Sequence, residues 1–427
     1  MRILWFTNTP SCYCEMTGGY NGGGWISSLE KQLRNQTHTQ LDETRKVEIG
    51  ICFYYHNQTA PFKTIQNGVV YYPLRRPKKL LGYTLKAVFG KPEVASAQHE
   101  ELAMPSLLNV VKDFQPDLIH VFGSENIYGL LAFYDVPPIV LHLQGILSPY
   151  LNAFLPPFVS WSMYFRSVKS ARGMLRNISE KIAWKKNCIT EQRMFKRIKY
   201  FMGRTEWDRN VTTVLNPKAR YFYCSEMLRD TFYVDNPQRR LPSKHPIFVT
   251  IISSQLYKGM DMLLKTAKIL KNMMNMKFEW NVYGDVVPTI AEEISGVSPK
   301  DVNVNLLGVA SSEMLTDALL HSTAYIHTSY IDNSPNSLCE AMILGCTCIS
   351  TNVGGISSLI EHGQTGFLVP ANDPYSLSHW MAVVSENLSF NKTVGTNARK
   401  VALERHDKEK IAERVVEIYN QILKIER

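Results

Sequence analysis

The chain has 427 residues, enough for two domains of ordinary size, and its 45% hydrophobic and 20% charged residues exclude a disordered chain. The net charge of +9 is unevenly shared: residues 1–245 carry 32 Lys and Arg against 19 Asp and Glu, whereas residues 246–427 carry 15 against 19. Eight scattered cysteines without C-x-x-C spacing argue against a zinc site or a disulfide framework, so we expect a reducing, cytoplasmic compartment.

Buried-strand and helix patterns alternate through the first half of the chain. The opening apolar run, Ile3–Phe6, is too short for the core of a secretory signal, so we expect it to form a strand. Further strands are predicted at Val47–Tyr55, Val69–Pro73, Leu118–Phe122 and Ile139–Leu143, and helices near 25–35, 97–113 and 126–134. This alternation predicts a parallel sheet.

A glycine-rich segment lies between the first strand and the first helix. It contains Gly18, Gly19, Gly22, Gly23 and Gly24. Small residues let the backbone approach a ligand and leave a helix N-terminus free for an anion. The spacing does not match the dinucleotide fingerprint, so a flexible loop is the alternative interpretation.

The chain between Asp135 and Arg166 contains no charged residue, yet Pro149, Pro156 and Pro157 interrupt any helix that could span a membrane. The basic segment 163–220 overlaps its end and holds 15 Lys and Arg against 4 Asp and Glu. Aromatic residues among these cations suit a helix lying on an anionic membrane. A solvated basic face is the alternative, and no nucleic-acid motif accompanies the charge.

A polar, proline-containing stretch at 235–246 predicts a domain boundary, after which the alternation restarts. We therefore predict an N-terminal domain at 1–240, a second domain at 246–405 and a final helix at 406–427. In the second domain we predict a helix at Met260–Met274 and strands at Phe248–Ile252, Phe278–Tyr283, Val304–Leu307, Ala324–Ser329 and Cys346–Ser350.

Two cations could meet an anionic ligand. Lys258 follows a predicted strand and precedes a helix, where its point charge could contact a diphosphate; a solvated lysine is the alternative. Arg204 could make a bidentate phosphate contact, but an ion pair with Glu206 or Asp208 fits the sequence equally well.

The stretch 327–355 is the most informative part of the sequence. Asp332 follows a buried strand, and a Pro-Asn turn then opens a short helix, 337–344, that contains Glu340. The helix N-terminus favours anionic oxygens, and a carboxylate can accept two hydrogen bonds from the vicinal diol of a ribose. A helix cap and a surface acid are the alternative roles of the two carboxylates.

This stretch resembles the signature of retaining glycosyltransferases of family 4 (group 1), which have the GT-B fold. The resemblance implies that Glu340 binds the ribose and that Asp332, which stands where the family has Glu, faces the donor sugar. It places the rest of the turn at the nucleotide sugar: Ser334, Pro335, Asn336, Ser337 and Leu338.

The same resemblance gives roles to residues elsewhere in the chain. Lys258 matches the phosphate-binding lysine, but Ser253 stands where an arginine is usual, so Arg204 is predicted to replace that cation. His142, which otherwise reads as a structural histidine at a strand end, matches a histidine that hydrogen-bonds the transferred sugar. Gly23 and Gly24 are expected near the donor phosphates, and Val309 near the base, through its backbone.

We therefore expect an α/β protein of the GT-B fold, with two Rossmann-like parallel-sheet domains facing across a cleft. The implied activity is that of a retaining hexosyltransferase that moves a sugar from a nucleoside diphosphate to a glycan or lipid-linked acceptor in cell-surface polysaccharide or lipopolysaccharide biosynthesis. No Asp-x-Asp triplet occurs, so no metal or other cofactor is expected. Peripheral contact with the inner face of an anionic membrane is a further expectation. A sugar-nucleotide epimerase of the same architecture and a non-catalytic basic module that binds membranes or nucleic acid are the alternatives.

Overall fold

The computed structural model describes residues 1–13, 24–38, 47–55, 61–76, 92–168, 170–242 and 244–427. The chain divides into two compact units. Unit 1 comprises residues 1–151, 178–227 and 407–427, and unit 2 comprises residues 152–177 and 228–406.

Unit 1 is built on an eight-stranded sheet of order β3-β4-β2-β1-β5-β6-β7-β8. All pairings are parallel except that of β3 with β4. The central strands are buried on both faces, which explains their continuous apolar sequences. The strands are β1 Arg2–Phe6, β2 Glu48–Tyr54, β3 Thr64–Gln66, β4 Val69–Leu74, β5 Leu118–Phe122, β6 Ile139–His142, β7 Tyr200–Gly203 and β8 Arg220–Tyr223. The helices are Gly24–His38, Pro92–Phe114, Leu147–Asn152, Ala171–Arg197 from residue 178 onward, Glu206–Leu215 and Lys408–Glu426, with a 3-10 helix at Ile127–Phe133.

Unit 2 is built on a six-stranded, all-parallel sheet of order β11-β10-β9-β12-β13-β14. The strands are β9 Ile247–Ile251, β10 Glu279–Tyr283, β11 Val304–Gly308, β12 Ala324–His327, β13 Cys348–Thr351 and β14 Phe367–Val369. The helices are Trp161–Arg166, Met260–Lys268, Thr289–Ser295, Ser312–Leu320, Asn336–Ile343, Pro374–Glu386 and Leu388–Arg405.

The prediction of two parallel-sheet α/β domains is confirmed. The predicted boundary at 240–246 differs from the observed one after Met227, because Leu228 and Phe232 are buried in the core of unit 2. The C-terminal helix belongs to unit 1, where the Tyr419 hydroxyl accepts a 3.1 Å hydrogen bond from the Trp5 indole. Across the described ranges, no helix has both the length and the hydrophobicity that a membrane crossing requires.

Candidate functional site

The predicted residues of unit 2 meet at the carboxyl ends of its parallel strands. Lys258 ends a 3-10 turn that follows β9, and Asp332 lies in the loop that follows β12. The side-by-side pairing of β9 and β12 brings these two loops together. Ligands of open α/β sheets bind at this edge, which makes it the candidate site.

Two glycines let the loops approach closely enough. Gly259 has a left-handed backbone (φ +75°), and a Cβ there would lie 2.0 Å from the carbonyl oxygen of Thr328. Gly354 (φ +53°) is in the same situation, since a Cβ there would lie 1.9 Å from the carbonyl oxygen of Asp332. Only glycine adopts this conformation at no steric cost and leaves room for the facing carbonyl, so these two residues set the spacing of the site.

Lys258 and Asp332 form an ion pair inside this edge. The Nζ atom lies 2.7 Å from Oδ2 of Asp332, and the two side chains are 19% and 8% exposed. The same oxygen lies 3.1 Å from Nε2 of His327 and accepts a 3.4 Å hydrogen bond from Ser329. The other ring nitrogen of His327 lies 3.0 Å from the Ser350 hydroxyl, so neighbouring strands orient the imidazole.

Electrostatics keeps both members of the pair charged. Burial alone would raise the pKa of Asp332, but the Lys258 ammonium and the His327 ring hold that pKa well below its usual range. Burial also disfavours the charged lysine, yet the Asp332 carboxylate outweighs it and raises the pKa of Lys258. Each charge therefore stabilises the other.

The helix Asn336–Ile343 begins beside this pair. Its N-cap is Pro335, which makes no side-chain cap hydrogen bond. Leu338 is buried in the core of unit 2, and Ser337 accepts a 2.8 Å hydrogen bond from Tyr325, so packing fixes the helix. The Leu338 amide donates to the Pro335 carbonyl at 3.0 Å, so the amides that could meet an anion are those of Asn336 and Ser337. Ser334 is buried, whereas Pro335, Asn336 and Ser337 are half-buried.

Glu340 lies in this helix and is held by an arginine that the sequence analysis missed. Arg229 donates from Nε and Nη2 to the two carboxylate oxygens of Glu340, both at 2.7 Å. The Glu340 side chain is 1% exposed. Burial raises the pKa of Glu340, and the Arg229 hydrogen bonds and charge partly oppose this shift. The sequence predicted the carboxylate of Glu340 as a ribose ligand but did not predict that the Arg229 guanidinium balances its charge.

Val309 and Ser253 border the same sheet edge. Val309 follows β11 and is more than half exposed. Its predicted backbone contact with the base stays a prediction. Ser253 donates its hydroxyl to Gln255 and lines a small surface depression with neighbours that include Asp261 and Val286.

The other predicted site residues belong to unit 1. His142 ends β6, is 1% exposed and packs edge-on against Trp25, with 5.2 Å between ring centroids. Neither ring nitrogen has a hydrogen-bond partner among the described residues, and burial lowers the pKa of His142 well below its ordinary value, so the ring is neutral. A neutral imidazole fits a positioning role. Gly23 lies outside the described residues, whereas Gly24 begins the first helix.

Arg204 is buried in unit 1, where its guanidinium forms an ion pair with Glu226. Its Nε lies 3.6 Å from the Glu226 carboxylate, and its guanidinium lies 4.4 Å from the centroid of the Trp25 ring. Asp208 instead accepts a 2.8 Å hydrogen bond from the Arg204 backbone amide. The role of Arg204 as a replacement phosphate ligand stays a prediction.

Two parallel-sheet domains with a polar site at the strand ends define the GT-B class of fold, and solved structures agree. Sucrose-phosphate synthase from Thermosynechococcus elongatus matches with a TM-score of 0.73 and 15% identity, over 99% of each chain. HepE from Anabaena, in complex with UDP-glucose, matches with a TM-score of 0.63 and 15% identity, over 99% of this chain and 100% of that one.

The sequence of unit 2 matches a known protein family. Residues 244–387 match the family model for glycosyl transferases group 1, so this part of the chain is a group 1 glycosyltransferase domain. The chain is 33% identical over 87 residues to N-acetyl-alpha-D-glucosaminyl L-malate synthase of Bacillus anthracis, which covers 20% of this chain and 23% of that protein. It is 28% identical over 129 residues to the amylovoran biosynthesis glycosyltransferase AmsK of Erwinia amylovora, covering 28% and 31%.

These matches span less than a third of the length of either curated relative. The predicted group 1 resemblance, the GT-B fold and the presence of a glycosyltransferase domain are confirmed.

Proposed function

We propose that the whole chain is a retaining glycosyltransferase that transfers a sugar from a nucleoside diphosphate to a glycan or lipid-linked acceptor, in the synthesis of a cell-surface polysaccharide or lipopolysaccharide. The group 1 domain and the amylovoran relative support the reaction class and the setting. The observation that carries the proposal is the paired charge of Lys258 and Asp332 beside the N-terminus of the helix that contains the buried carboxylate of Glu340.

The donor diphosphate would lie against Lys258 and the first amides of the helix Asn336–Ile343. An ammonium group has three donors, so Lys258 can keep its hydrogen bond to Asp332 and still reach a phosphate oxygen. The helix dipole adds positive potential at the same place. The Anabaena protein was solved in complex with UDP-glucose, which supports a donor of this kind.

Catalysis would come mainly from stabilising the charge that develops on the leaving diphosphate. Lys258 and the helix amides are fixed before the donor arrives, so little reorganisation is needed as charge accumulates. In a front-face reaction with retention, the leaving phosphate itself takes the proton of the acceptor hydroxyl. Asp332, held ionised, would then orient the sugar rather than act as an acid. This scheme uses no metal.

Segment 152–177 supports the peripheral-membrane part of the proposal. Phe158 is 95% exposed, and Leu175 is 56% exposed. Exposed arginines lie close by in the sequence, at Arg166, Arg172 and Arg176. Apolar side chains that enter the acyl boundary, beside cations worth about 1 kcal/mol each at an anionic surface, suit an interfacial segment.

Sedimentation with vesicles tests this contact. Wild-type protein should sediment with phosphatidylglycerol vesicles and much less with phosphatidylcholine vesicles, and Phe158→Asp should weaken the first interaction. Phe133→Asp, at an exposed aromatic residue of unit 1, is the control. Equal sedimentation of wild type and Phe158→Asp would exclude this segment as the contact.

The activity is tested with a panel of uridine and guanosine diphosphate sugars, with and without a membrane extract as the acceptor source. A transferase releases nucleoside diphosphate only when an acceptor is present, and Lys258→Met should abolish that release. Lys268→Met, at an exposed lysine of the following helix, should not. Donor conversion without acceptor would indicate the epimerase, and the absence of any donor binding would indicate a binding module.

A further inference from the structure

The pair formed by Arg229 and Glu340 goes beyond the predicted site. The guanidinium contacts both carboxylate oxygens at 2.7 Å, in the bidentate geometry that combines charge with directional hydrogen bonds. The two residues are 111 positions apart in the chain and both belong to unit 2. The contact therefore depends on the tertiary fold of that unit.

Arg229 is itself held from two further sides. Its Nη1 donates a 3.1 Å hydrogen bond to the hydroxyl of Ser312, at the start of the helix Ser312–Leu320. Its guanidinium carbon lies 4.7 Å from the centroid of the Phe232 ring, within cation–π range. With its orientation fixed in this way, Arg229 can fix the orientation of the carboxylate in turn.

The hydrogen-bond capacity of Glu340 is compatible with a ligand on its remaining side. An ionised carboxylate offers about four acceptor positions, and a bidentate guanidinium occupies about two of them. About two are left, which equals the number of donors on the vicinal diol of a ribose. Arg229 and a ribose can therefore share the carboxylate without competing for the same lone pairs.

We infer that Arg229 is a positioning residue for nucleotide binding, which holds the buried Glu340 carboxylate ionised and turned so that its free lone pairs receive the two ribose hydroxyls. This inference rests on the proposed function, because it assumes a nucleoside diphosphate ligand. Arg229 itself need not contact the ligand.

The alternative is that Arg229 obstructs the carboxylate and must leave before the ribose binds. The two alternatives predict opposite effects on donor affinity when Arg229 is removed. If Arg229 positions Glu340, its loss leaves a buried carboxylate without counter-charge, which favours the protonated form and removes an acceptor. If Arg229 obstructs Glu340, its loss frees the carboxylate and donor binding becomes tighter.

Other titratable groups near Arg229 and Glu340 also bear on the pH dependence of nucleotide binding. The buried Tyr325 phenol of β12 interacts electrostatically with both Glu340 and Asp332, and its raised pKa keeps it neutral. Asp332 stays ionised because its pKa is lowered. Glu313, on the helix Ser312–Leu320, interacts with Arg229 and also has a lowered pKa. The neighbours therefore keep constant charge near neutral pH, and Glu340 is the group whose protonation Arg229 controls.

The test is the dissociation constant of the tightest-binding nucleoside diphosphate, measured by calorimetry from pH 6 to pH 8.5. The terminal phosphate of the ligand gains a proton at about pH 6, so each variant is compared with wild type at the same pH. Arg229→Gln should bind about tenfold more weakly than wild type at pH 8.5, and this ratio should grow as the pH falls. Arg229→Lys should recover most of the wild-type pH profile but not the full affinity, because it restores charge without the bidentate geometry.

Matched variants separate the outcomes. Arg240→Gln removes an exposed arginine eleven positions further along the chain and should behave as wild type. Glu340→Gln combined with Arg229→Gln should bind weakly at every pH. A pH profile of Arg229→Gln parallel to that of wild type, or tighter binding, would overturn the inference. Failure of wild type to bind any nucleoside diphosphate would instead refute the proposed function. Should Arg229→Gln not fold, the affinity of Arg229→Lys decides: weaker binding than wild type supports the inference, and equal or tighter binding overturns it.

Discussion

The ion pair of Lys258 and Asp332 gives the most detailed prediction. Lys258→Met keeps the length and apolar character of the stem but removes the charge. Asp332, which is 8% exposed, then loses the ammonium that balances its carboxylate. Removing one partner of a buried pair costs about 3–5 kcal/mol, and we expect about 3 kcal/mol because Lys258 is 19% exposed.

The pH dependence of this cost follows from the lowered pKa of Asp332 in the folded wild type. A lowered carboxyl pKa adds stability that is present above the unfolded pKa, about 3.9, and is lost as the pH falls through the folded value. Without Lys258, the pKa of Asp332 rises and the carboxylate stabilises the fold less or not at all. The stability gap between wild type and Lys258→Met should therefore be largest near pH 7 and shrink below about pH 4.

Urea unfolding of a double-mutant cycle measures the pair. Asp332→Asn alone should also destabilise, whereas Lys258→Met with Asp332→Asn should cost about 2 kcal/mol less than the sum of the two single changes, because no unpaired charge remains buried. Calorimetry of the same variants measures their affinity for the donor. Only the variants that lack Lys258 should lose the part of that affinity that comes from the diphosphate contact. Additive costs, or a stability gap that does not change with pH, would refute the assignment of a coupled buried pair.

Three further predictions follow from the site. Ser253→Arg restores the usual cation at this sheet edge, and should tighten nucleoside diphosphate binding by about tenfold in calorimetry; unchanged or weaker binding would contradict a role for a cation at this position. Glu340→Gln should weaken binding of a ribonucleoside diphosphate more than that of its 2′-deoxy analogue, and an equal loss for both would place the ribose elsewhere. Gly259→Ala should lower stability by more than Gly296→Ala, which costs about 1–2 kcal/mol, because both have left-handed backbones but only Gly259 has a facing carbonyl, that of Thr328; equal unfolding midpoints would contradict this.

The parts of the site that the sequence predicted are those with local signals. Lys258 lies between a strand and a helix, and Asp332 lies between a strand and a Pro-Asn turn, so each position follows from the pattern of its own segment. The turn also indicated the helix that carries Glu340. In all three cases the spacing along the chain is enough to place the residue, either in the loop after a strand or in the helix that follows the turn.

The parts that were missed depend on contacts between distant segments. Arg229 reaches Glu340 across 111 positions, and nothing in its own neighbourhood indicates that contact. His327 did carry a signal, since a polar residue that closes a buried strand faces the same edge as the loops. The basic segment was predicted to suit a helix on a membrane surface, but the bounds of the helix Ala171–Arg197 could not be predicted, because its many charged residues obscure its apolar spacing.

The boundary between the two units was misplaced for a similar reason. Prolines and polar residues at 235–246 gave a local break in composition. The chain joins the core of unit 2 earlier, through Leu228 and Phe232. That burial is a property of the folded unit and has no local marker in the sequence. It also brings Arg229 into unit 2, next to the carboxylate that it holds.

A crystal structure of the chain with a bound nucleoside diphosphate tests the central claim most directly. We predict phosphate oxygens within hydrogen-bonding distance of the Lys258 ammonium and of the first amides of the helix Asn336–Ile343, and both ribose hydroxyls on Glu340 with the Arg229 pair intact. A nucleotide bound away from the carboxyl ends of β9 and β12, or a ribose that does not contact Glu340, would contradict the claim.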